Sequence, residues 1–404
     1  MEKGTMKKTK SKSRRVFLTG DGAIAEAMRQ INPHVVAAYP ITPSTQVVET
    51  FARFVADGLV DTEFVVTESE HSAMSACVGA AAGGGRVMTV TGSQGLAYMF
   101  EVLGVTSGLR LPMVMAIANR ALNSPLNIHG DHSDTMAMRD MGWIHLYSEN
   151  GQEAYDNTVQ AFRIAENPNV RTPVLVAIDG FQTSHMVETL TVETDELVKK
   201  FIGKYIPSYP MIDIDNPVLY GAADRPDYYM EHKRNQLVGM INAPEVIQQV
   251  GKEYGDLTGR YYGLVEEYRM EDAEYAIVVM SATAGSVKDV IEQLREEGVA
   301  AGLLKIRAFR PFPADEVAKS LSRTKSVAVL DRCGTGGAQG GPLFLEVRTA
   351  LYEEKSPPQV INYIFGLGGR DLPLRDIKDV YLRLRGIART GERGKLVDFL
   401  NLRE

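Results

Sequence analysis

The 404-residue chain holds only two cysteines, Cys77 and Cys333. They lie far apart and neither belongs to a CxxC pair. That excludes a disulfide framework, and an iron–sulfur cluster carried by this polypeptide alone. No apolar run reaches the length that crosses a bilayer, so no membrane partner is expected. Positive charge is in short supply, with 44 Lys and Arg against 51 Asp and Glu and a net charge of −7. This argues against nucleic acid as the main partner. The first fifteen residues are the exception: Lys3, Lys7, Lys8, Lys10, Lys12, Arg14 and Arg15 face a single Glu2. With no apolar face, residues 1–14 are expected to form a disordered basic tail. Ser13-Arg14-Arg15-Val16 begins like a twin-arginine export signal, but Asp21, Glu26 and Arg29 interrupt the apolar stretch that must follow. A cytoplasmic protein is expected.

What is present is a soluble globular composition, 44% hydrophobic and 24% charged, in a chain long enough for two domains. Strand and helix signals alternate four times between Arg15 and Ala118. The strand candidates are Arg15–Thr19, Val35–Ala38, Thr62–Thr67, Arg86–Thr91 and Leu111–Ala118. This alternation predicts a doubly wound parallel sheet. Gly20-Asp21-Gly22 reads as a tight turn after the first strand, because its match to a dinucleotide fingerprint is incomplete. Helix Gly151–Glu166 and strand Val174–Asp179 extend the unit. From Ser184 to about Leu264 four prolines (Pro207, Pro210, Pro217, Pro226) and several tyrosines suggest an extended, packed connector. A second alternation starts at Tyr275 and runs to the strand Val360–Phe365. The fold class is therefore α/β: a doubly wound parallel sheet with its connector over residues 15–264, then a smaller α/β domain over 265–404.

Open α/β sheets bind ligands at the carboxyl ends of their strands, and that edge carries the chemistry here. Tyr39-Pro40-Ile41-Thr42-Pro43-Ser44-Thr45 is stiffened by two prolines, which fix φ and push Tyr39 and Thr42 toward extended backbone. Ser44 or Thr45 is placed to cap the following helix. Glu70 falls in or near the first turn of the small-residue helix Glu68–Ala80, where the positive helix end favours a carboxylate. Gly92-Ser93-Gln94-Gly95 and Asn119-Arg120 close two further strands. His129-Gly130-Asp131-His132-Ser133-Asp134 could ligate a metal, but no distal cluster completes a shell; a mobile active-site loop is the better reading. Gly334-Thr335-Gly336-Gly337 could cradle a phosphate, although no Walker lysine follows.

Together these residues resemble a known family. Tyr39–Thr45, Glu68–Ala80, Thr91–Leu96, Asn119–Leu122 and Asn127–Trp143 are similar to the α subunits of the thiamine-dependent 2-oxoacid:ferredoxin oxidoreductases. The loop from Leu126-Asn127-Ile128 to Gly142-Trp143 points to the pyruvate branch. Tyr275–Phe365 resembles the transketolase C-terminal-type domain of the same subunits, and the first domain their thiamine pyrimidine-binding domain. The resemblance implies oxidative decarboxylation of pyruvate with coenzyme A, electrons passing to ferredoxin. It implies thiamine diphosphate shared with a β subunit that holds the diphosphate and Mg²⁺, which would account for the paired asparagines missing after Gly20-Asp21-Gly22. Iron–sulfur clusters would sit on β and on a ferredoxin-like δ subunit, with γ completing the complex, and no metal on this chain. Glu70 would hydrogen-bond the pyrimidine nitrogen, with Pro40, Ile41 and Gln94 as further cofactor contacts. Arg120 and the Thr42 hydroxyl would bind the substrate's carboxylate and carbonyl oxygens. Two alternatives remain: a sibling enzyme acting on 2-oxoglutarate, a branched 2-oxoacid or oxalate, and a non-catalytic scaffold. The basic tail has no counterpart in the family pattern.

Overall fold

A computed structural model describes residues 13–403. The expected disordered tail lies outside the described residues up to residue 12, while Arg14 already begins a strand. The chain runs β1 (Arg14–Thr19), α1 (Gly20–Ile31), β2 (Val35–Ala38), α2 (Thr45–Ala56), β3 (Glu63–Val66), α3 (Glu70–Ala82) and β4 (Val87–Thr91). Two short helices follow, α4 (Ser93–Tyr98) and α5 (Phe100–Gly108), before β5 (Val114–Asn119). Next come α6 (Ser133–Ala137), β6 (Ile144–Tyr147), α7 (Gly151–Ala165), β7 (Val174–Asp179), β8 (Val187–Val192), α8 (Asp195–Ile202) and α9 (Pro226–Thr258). The C-terminal unit comprises β9 (Val265–Tyr268), β10 (Tyr275–Val279), α10 (Thr283–Glu296), β11 (Ala301–Ile306), β12 (Ala308–Arg310), α11 (Ala314–Leu321), β13 (Ser326–Asp331), α12 (Pro342–Ala350), β14 (Gln359–Ile364), α13 (Leu374–Thr390) and β15 (Val397–Phe399).

The N-terminal sheet has the order β12-β6-β7-β5-β4-β2-β3. All its pairings are parallel except that of β12, which the second half of the chain contributes antiparallel to β6. The second sheet, β15-β14-β13-β10-β11-β9, is parallel apart from β9. Strands β4, β5 and β7 are buried along their whole length, as central parallel strands covered on both faces must be. One apolar cluster joins the two units, with Met115, Ile117, Trp143 and Tyr147 packing in the same core as Met280, Ile306, Phe309 and Val329.

Two expectations fail here. Strand β1 does not enter the parallel sheet; it pairs antiparallel with β8, Arg14 opposite Val192 and Thr19 opposite Val187. Its arginines and the exposed Phe17 suit a half-solvated ribbon, not a strand buried on both faces. Gly20-Asp21-Gly22 is accordingly no turn but the first turn of α1, capped by Thr19 Oγ1 accepting from Gly22 N at 3.0 Å. Gly20 N donates to the Thr183 carbonyl at 3.0 Å, and a Cβ there would overlap that carbonyl.

The expected connector also contains regular structure: β8, α8 and the 33-residue helix α9. Its prolines concealed the helix. Pro226 occupies the helix start, where its missing N–H costs nothing, and Pro244 lies inside. The C-terminal half of α9 is pinned to α7 by Asp156, which is fully buried and accepts from Arg260 Nε at 2.7 Å, Tyr262 OH at 2.6 Å and Tyr254 OH at 2.5 Å. Gly251 lets α9 approach the chain beyond it so closely that a Cβ would overlap the Tyr262 carbonyl. Gly251→Ala should therefore cost about 1–3 kcal/mol through overpacking, read as a lower Tm. In the second unit the sequence pattern likewise did not yield α13 or β15, which lie beyond the last expected strand.

Candidate active site

The carboxyl ends of β2, β3, β4, β5 and β7 meet on one edge of the N-terminal sheet. After β2, Pro40 and Thr42 are exposed and Ile41 is half-buried; the Thr42–Pro43 peptide is cis. Ser44 is the cap residue of α2 but does not cap it through its side chain: its hydroxyl donates backwards to the Ile41 carbonyl at 2.9 Å. The expected capping bond is replaced by one that closes the Ile41–Ser44 turn on itself. Glu70 is the first residue of α3, 7% exposed. Among the described residues no protein donor reaches its carboxylate. It faces Gly95, where a Cβ would lie 2.6 Å from Glu70 Oε1 and 2.5 Å from Thr91 Oγ1. The Thr91 hydroxyl is itself buried without a partner. A carboxyl and a hydroxyl thus pack against the turn backbone at a point where only glycine fits. Gln94, next to that glycine, accepts from Ser93 Oγ at 2.6 Å.

Arg120, at the end of β5, is 8% exposed. Its Nη1 donates to the Thr42 carbonyl at 3.0 Å and its Nε to the Asn127 carbonyl at 3.1 Å. Nη2 has no partner among the described residues and is free for an anion. The structure therefore joins Thr42 to Arg120 directly, through the threonine's backbone, and leaves the Thr42 hydroxyl unengaged.

Asp134, which sequence reading placed only in a loop of possible ligands, ties the two halves together. Its Oδ2 accepts from Ser93 N at 2.9 Å and from Arg120 N at 3.0 Å. Its Oδ1 accepts from Asn119 Nδ2 and Thr135 N, each at 2.7 Å. Burial pushes its carboxyl up to about 6, against the pull of these four donors. The metal reading of the His129–Asp134 segment is not supported, because its side chains turn to separate partners. His132 Nε2 donates to Asp179 Oδ1 at 2.8 Å, Asp131 accepts from Ser133 N at 3.0 Å, and His129 stacks on Phe181. The segment expected to be a mobile loop is also bonded along its length, with Leu122 N donating to Ser133 Oγ at 2.9 Å.

Asp179, at the end of β7, anchors the second unit beside the site. It accepts from His132 and from Ala282 N at 2.9 Å, and it forms an ion pair with Arg332 Nη1 at 3.1 Å. Burial alone would raise its pKa, but Arg332 and His132 outweigh that and hold it well below the usual carboxylate range. In the glycine-rich loop before α12, Asp331 already accepts from Leu343 N and Phe344 N at 2.8 and 3.1 Å. The protein's own carboxylate thus occupies the helix start that a phosphate would need. Among the described residues, the one acidic cluster close enough for a metal, Glu149, Glu153 and Glu266, is filled by the Lys305 ammonium, 2.7 Å from Glu149 and 2.6 Å from Glu153.

Residues 26–252 match the family model described as "Pyruvate flavodoxin/ferredoxin oxidoreductase, thiamine diP-bdg". The chain belongs to this family. Residues 273–377 match a second model, "Pyruvate:ferredoxin oxidoreductase core domain II". The pyruvate synthase subunit PorA of Thermotoga maritima is 52% identical over 91% of this chain and 93% of its own. A ketoisovalerate oxidoreductase subunit VorA of Pyrococcus abyssi is 40% identical over 96% of this chain and 97% of its own. A solved 2-oxoglutarate:ferredoxin oxidoreductase from Magnetococcus marinus shares the fold, with a TM-score of 0.70 at 20% identity over 93% of this chain and 65% of that one. A split-gene transketolase shares it more loosely, at a TM-score of 0.55 and 13% identity over 92% of this chain and all of that one. The pyruvate flavodoxin/ferredoxin oxidoreductase family is thiamine-binding by description, and the site fits the group. A carboxyl with no protein donor among the described residues, beside a buried unpartnered hydroxyl, suits the polar edge of an aminopyrimidine.

Proposed function

We propose that this chain is the α subunit of a multi-subunit pyruvate:ferredoxin oxidoreductase working in the cytoplasm. Pyruvate, coenzyme A and two oxidised ferredoxins give acetyl-CoA, CO₂, a proton and two reduced ferredoxins. The observation that carries the reading is that one sheet edge presents both a Glu70 carboxyl without a protein donor among the described residues and a half-free Arg120 guanidinium, the latter's backbone held by Asp134. Thiamine diphosphate, when bound, supplies the nucleophilic carbon and the electron sink for decarboxylation. Glu70 would share a proton with the pyrimidine ring nitrogen, and its place as the first residue of α3 fixes the carboxyl in position. Pro40 and Ile41, in the turn after β2, and Gln94, next to Gly95, would be further contacts of the cofactor. Arg120 Nη2 takes the substrate carboxylate in a charge-assisted bond worth about 1.5–3 kcal/mol, and the Thr42 hydroxyl donates to the keto oxygen.

Electron transfer needs partners. The two cysteines are buried and unpaired, and burial pushes the Cys77 thiol up to about 12, which disfavours the thiolate a cluster requires. In this reading a β subunit carries the Mg²⁺ and, with a ferredoxin-like δ subunit, the iron–sulfur clusters, and γ completes the assembly. No helix of the described residues is long and apolar enough to cross a membrane. A branched 2-oxoacid is the second reading, favoured by the VorA relative; pyruvate takes precedence on the higher identity to PorA.

Arg120→Lys tests the substrate role. A lysine lacks the planar fork and cannot reach Thr42, Asn127 and an anion together. The KM for pyruvate in the assembled complex should rise at least tenfold, about 1.4 kcal/mol, with thiamine diphosphate affinity unchanged. A weaker affinity for thiamine diphosphate, with pyruvate KM unchanged at saturating cofactor, would refute the role.

A further inference from the structure

Arg120 is held from two sides, and only one belongs to the N-terminal unit. The Thr42 carbonyl comes from the turn after β2. The Asn127 carbonyl, which accepts from Arg120 Nε, is fixed from the other half of the chain. Asn127 Nδ2 donates to the Gly368 carbonyl at 3.0 Å, while its Oδ1 accepts from His129 N at 2.7 Å. Gly368 N in turn donates to Asp131 Oδ2 at 3.0 Å, and Asp131 Oδ1 accepts from Ser133 N. One glycine of the C-terminal unit is therefore clasped in both senses, as acceptor and as donor, by the segment that carries the Arg120 support.

The turn is shaped for this contact. Gly366, Gly368 and Gly369 have φ of 62°, 60° and 81°, a region L side chains rarely adopt. A Cβ on Gly368 would overlap Asn127 Nδ2, and one on Gly369 would overlap the His129 Cβ. The turn follows β14 directly and is anchored from below by Arg332 Nε, which donates to the Gly366 carbonyl at 3.3 Å. Arg332 also meets Asp179 at the end of β7, so the turn and the sheet edge are fixed to each other.

We infer that the Gly366–Gly369 turn positions Arg120 through Asn127, so that the C-terminal unit sets the affinity of the N-terminal site for the 2-oxoacid carboxylate. Without the Asn127 carbonyl the guanidinium pivots about its bond to Thr42. A charge-assisted bond to a planar carboxylate is then lost to misalignment rather than to loss of charge. Asn127 and Gly368 are positioning residues, and neither touches the substrate. The inference rests on the assignment of Arg120 to the carboxylate.

The test uses the assembled complex carrying Asn127→Ala, Arg120→Ala or both, with pyruvate KM, kcat and thiamine diphosphate affinity measured for each. Asn127→Ala should raise KM about tenfold, with kcat within roughly twofold and cofactor affinity unchanged. In the Arg120→Ala background Asn127→Ala should add nothing further. Losses that multiply would overturn the positioning route while leaving Arg120 in its role. An unchanged KM in Arg120→Ala alone would remove the carboxylate assignment and this inference with it. Gly368→Ala approaches the same contact from the other side and should reproduce the Asn127→Ala phenotype. If Gly368→Ala fails to fold, the Asn127 and Arg120 variants still decide the matter.

Discussion

Glu70→Gln should lower pyruvate-dependent reduction of ferredoxin, or of a viologen dye, by the assembled complex about 10²–10⁴-fold, the usual worth of a positioned proton-sharing group. Glutamine keeps the size and a hydrogen bond but cannot share a proton with a ring nitrogen. Thiamine diphosphate should still bind, within about tenfold, and the Tm should hold. The structure gives the reason for so large an effect. The carboxyl is buried, has no protein donor among the described residues, and packs so closely on Gly95 that a single methyl group there would overlap it. Its oxygens are left for a ligand to engage. Turnover unchanged in Glu70→Gln would end the catalytic assignment and leave the scaffold reading in its place.

Asp134→Ala should be the most damaging substitution away from direct ligand contact. It removes the acceptor of four donors, two of them the backbone N–H groups of Ser93 and Arg120. Buried donors left unpaired cost about 1–3 kcal/mol each. The variant should lose several kcal/mol of stability, with activity falling through both the Gln94 turn and Arg120. Asp134→Asn isolates the charge. Burial holds the folded carboxyl at about 6, above an unfolded value of about 3.9. The folded protein therefore binds the proton more tightly. That contribution to stability is complete below about pH 4 and is lost as the pH rises through about 6. The difference in Tm between wild type and Asp134→Asn, measured across that range, should fall with rising pH. A flat difference would mean that Asp134 does not titrate there.

The place of Arg120 was open to sequence reasoning because it follows a strand whose burial is written in consecutive apolar residues, whereas Glu70 follows the half-exposed β3 and was placed by its position at a helix start. Leu111–Ala118 could only be a covered strand, so Asn119-Arg120 had to emerge at its end. Asp134 was not legible in the same way. It lies 14 positions beyond Arg120, in a segment without periodicity, and nothing local says that its carboxylate turns back to the Gly92–Ser93 turn. Strand β1 and helix α9 were misread for related reasons. β1 has strand composition, but its pairing with β8 is a choice between partners more than 160 residues apart. α9 has two prolines and weak patterning, and its stability comes from Asp156, Tyr254, Arg260 and Tyr262 meeting on α7.

The amino-acid sequence by itself determined the alternation of strands and helices, the edge at which the strands' carboxyl ends gather, and the residue types offered there. Those are set by backbone preference and by burial, which act over a few neighbouring residues. Tertiary structure alone decided which of those residues meet. It brought Thr42 to Arg120, closed Glu70 against Gly95, and placed a glycine turn from position 368 under Asn127. Such contacts form when separate elements are packed together, and the energy that fixes them is shared among partners distant in the chain.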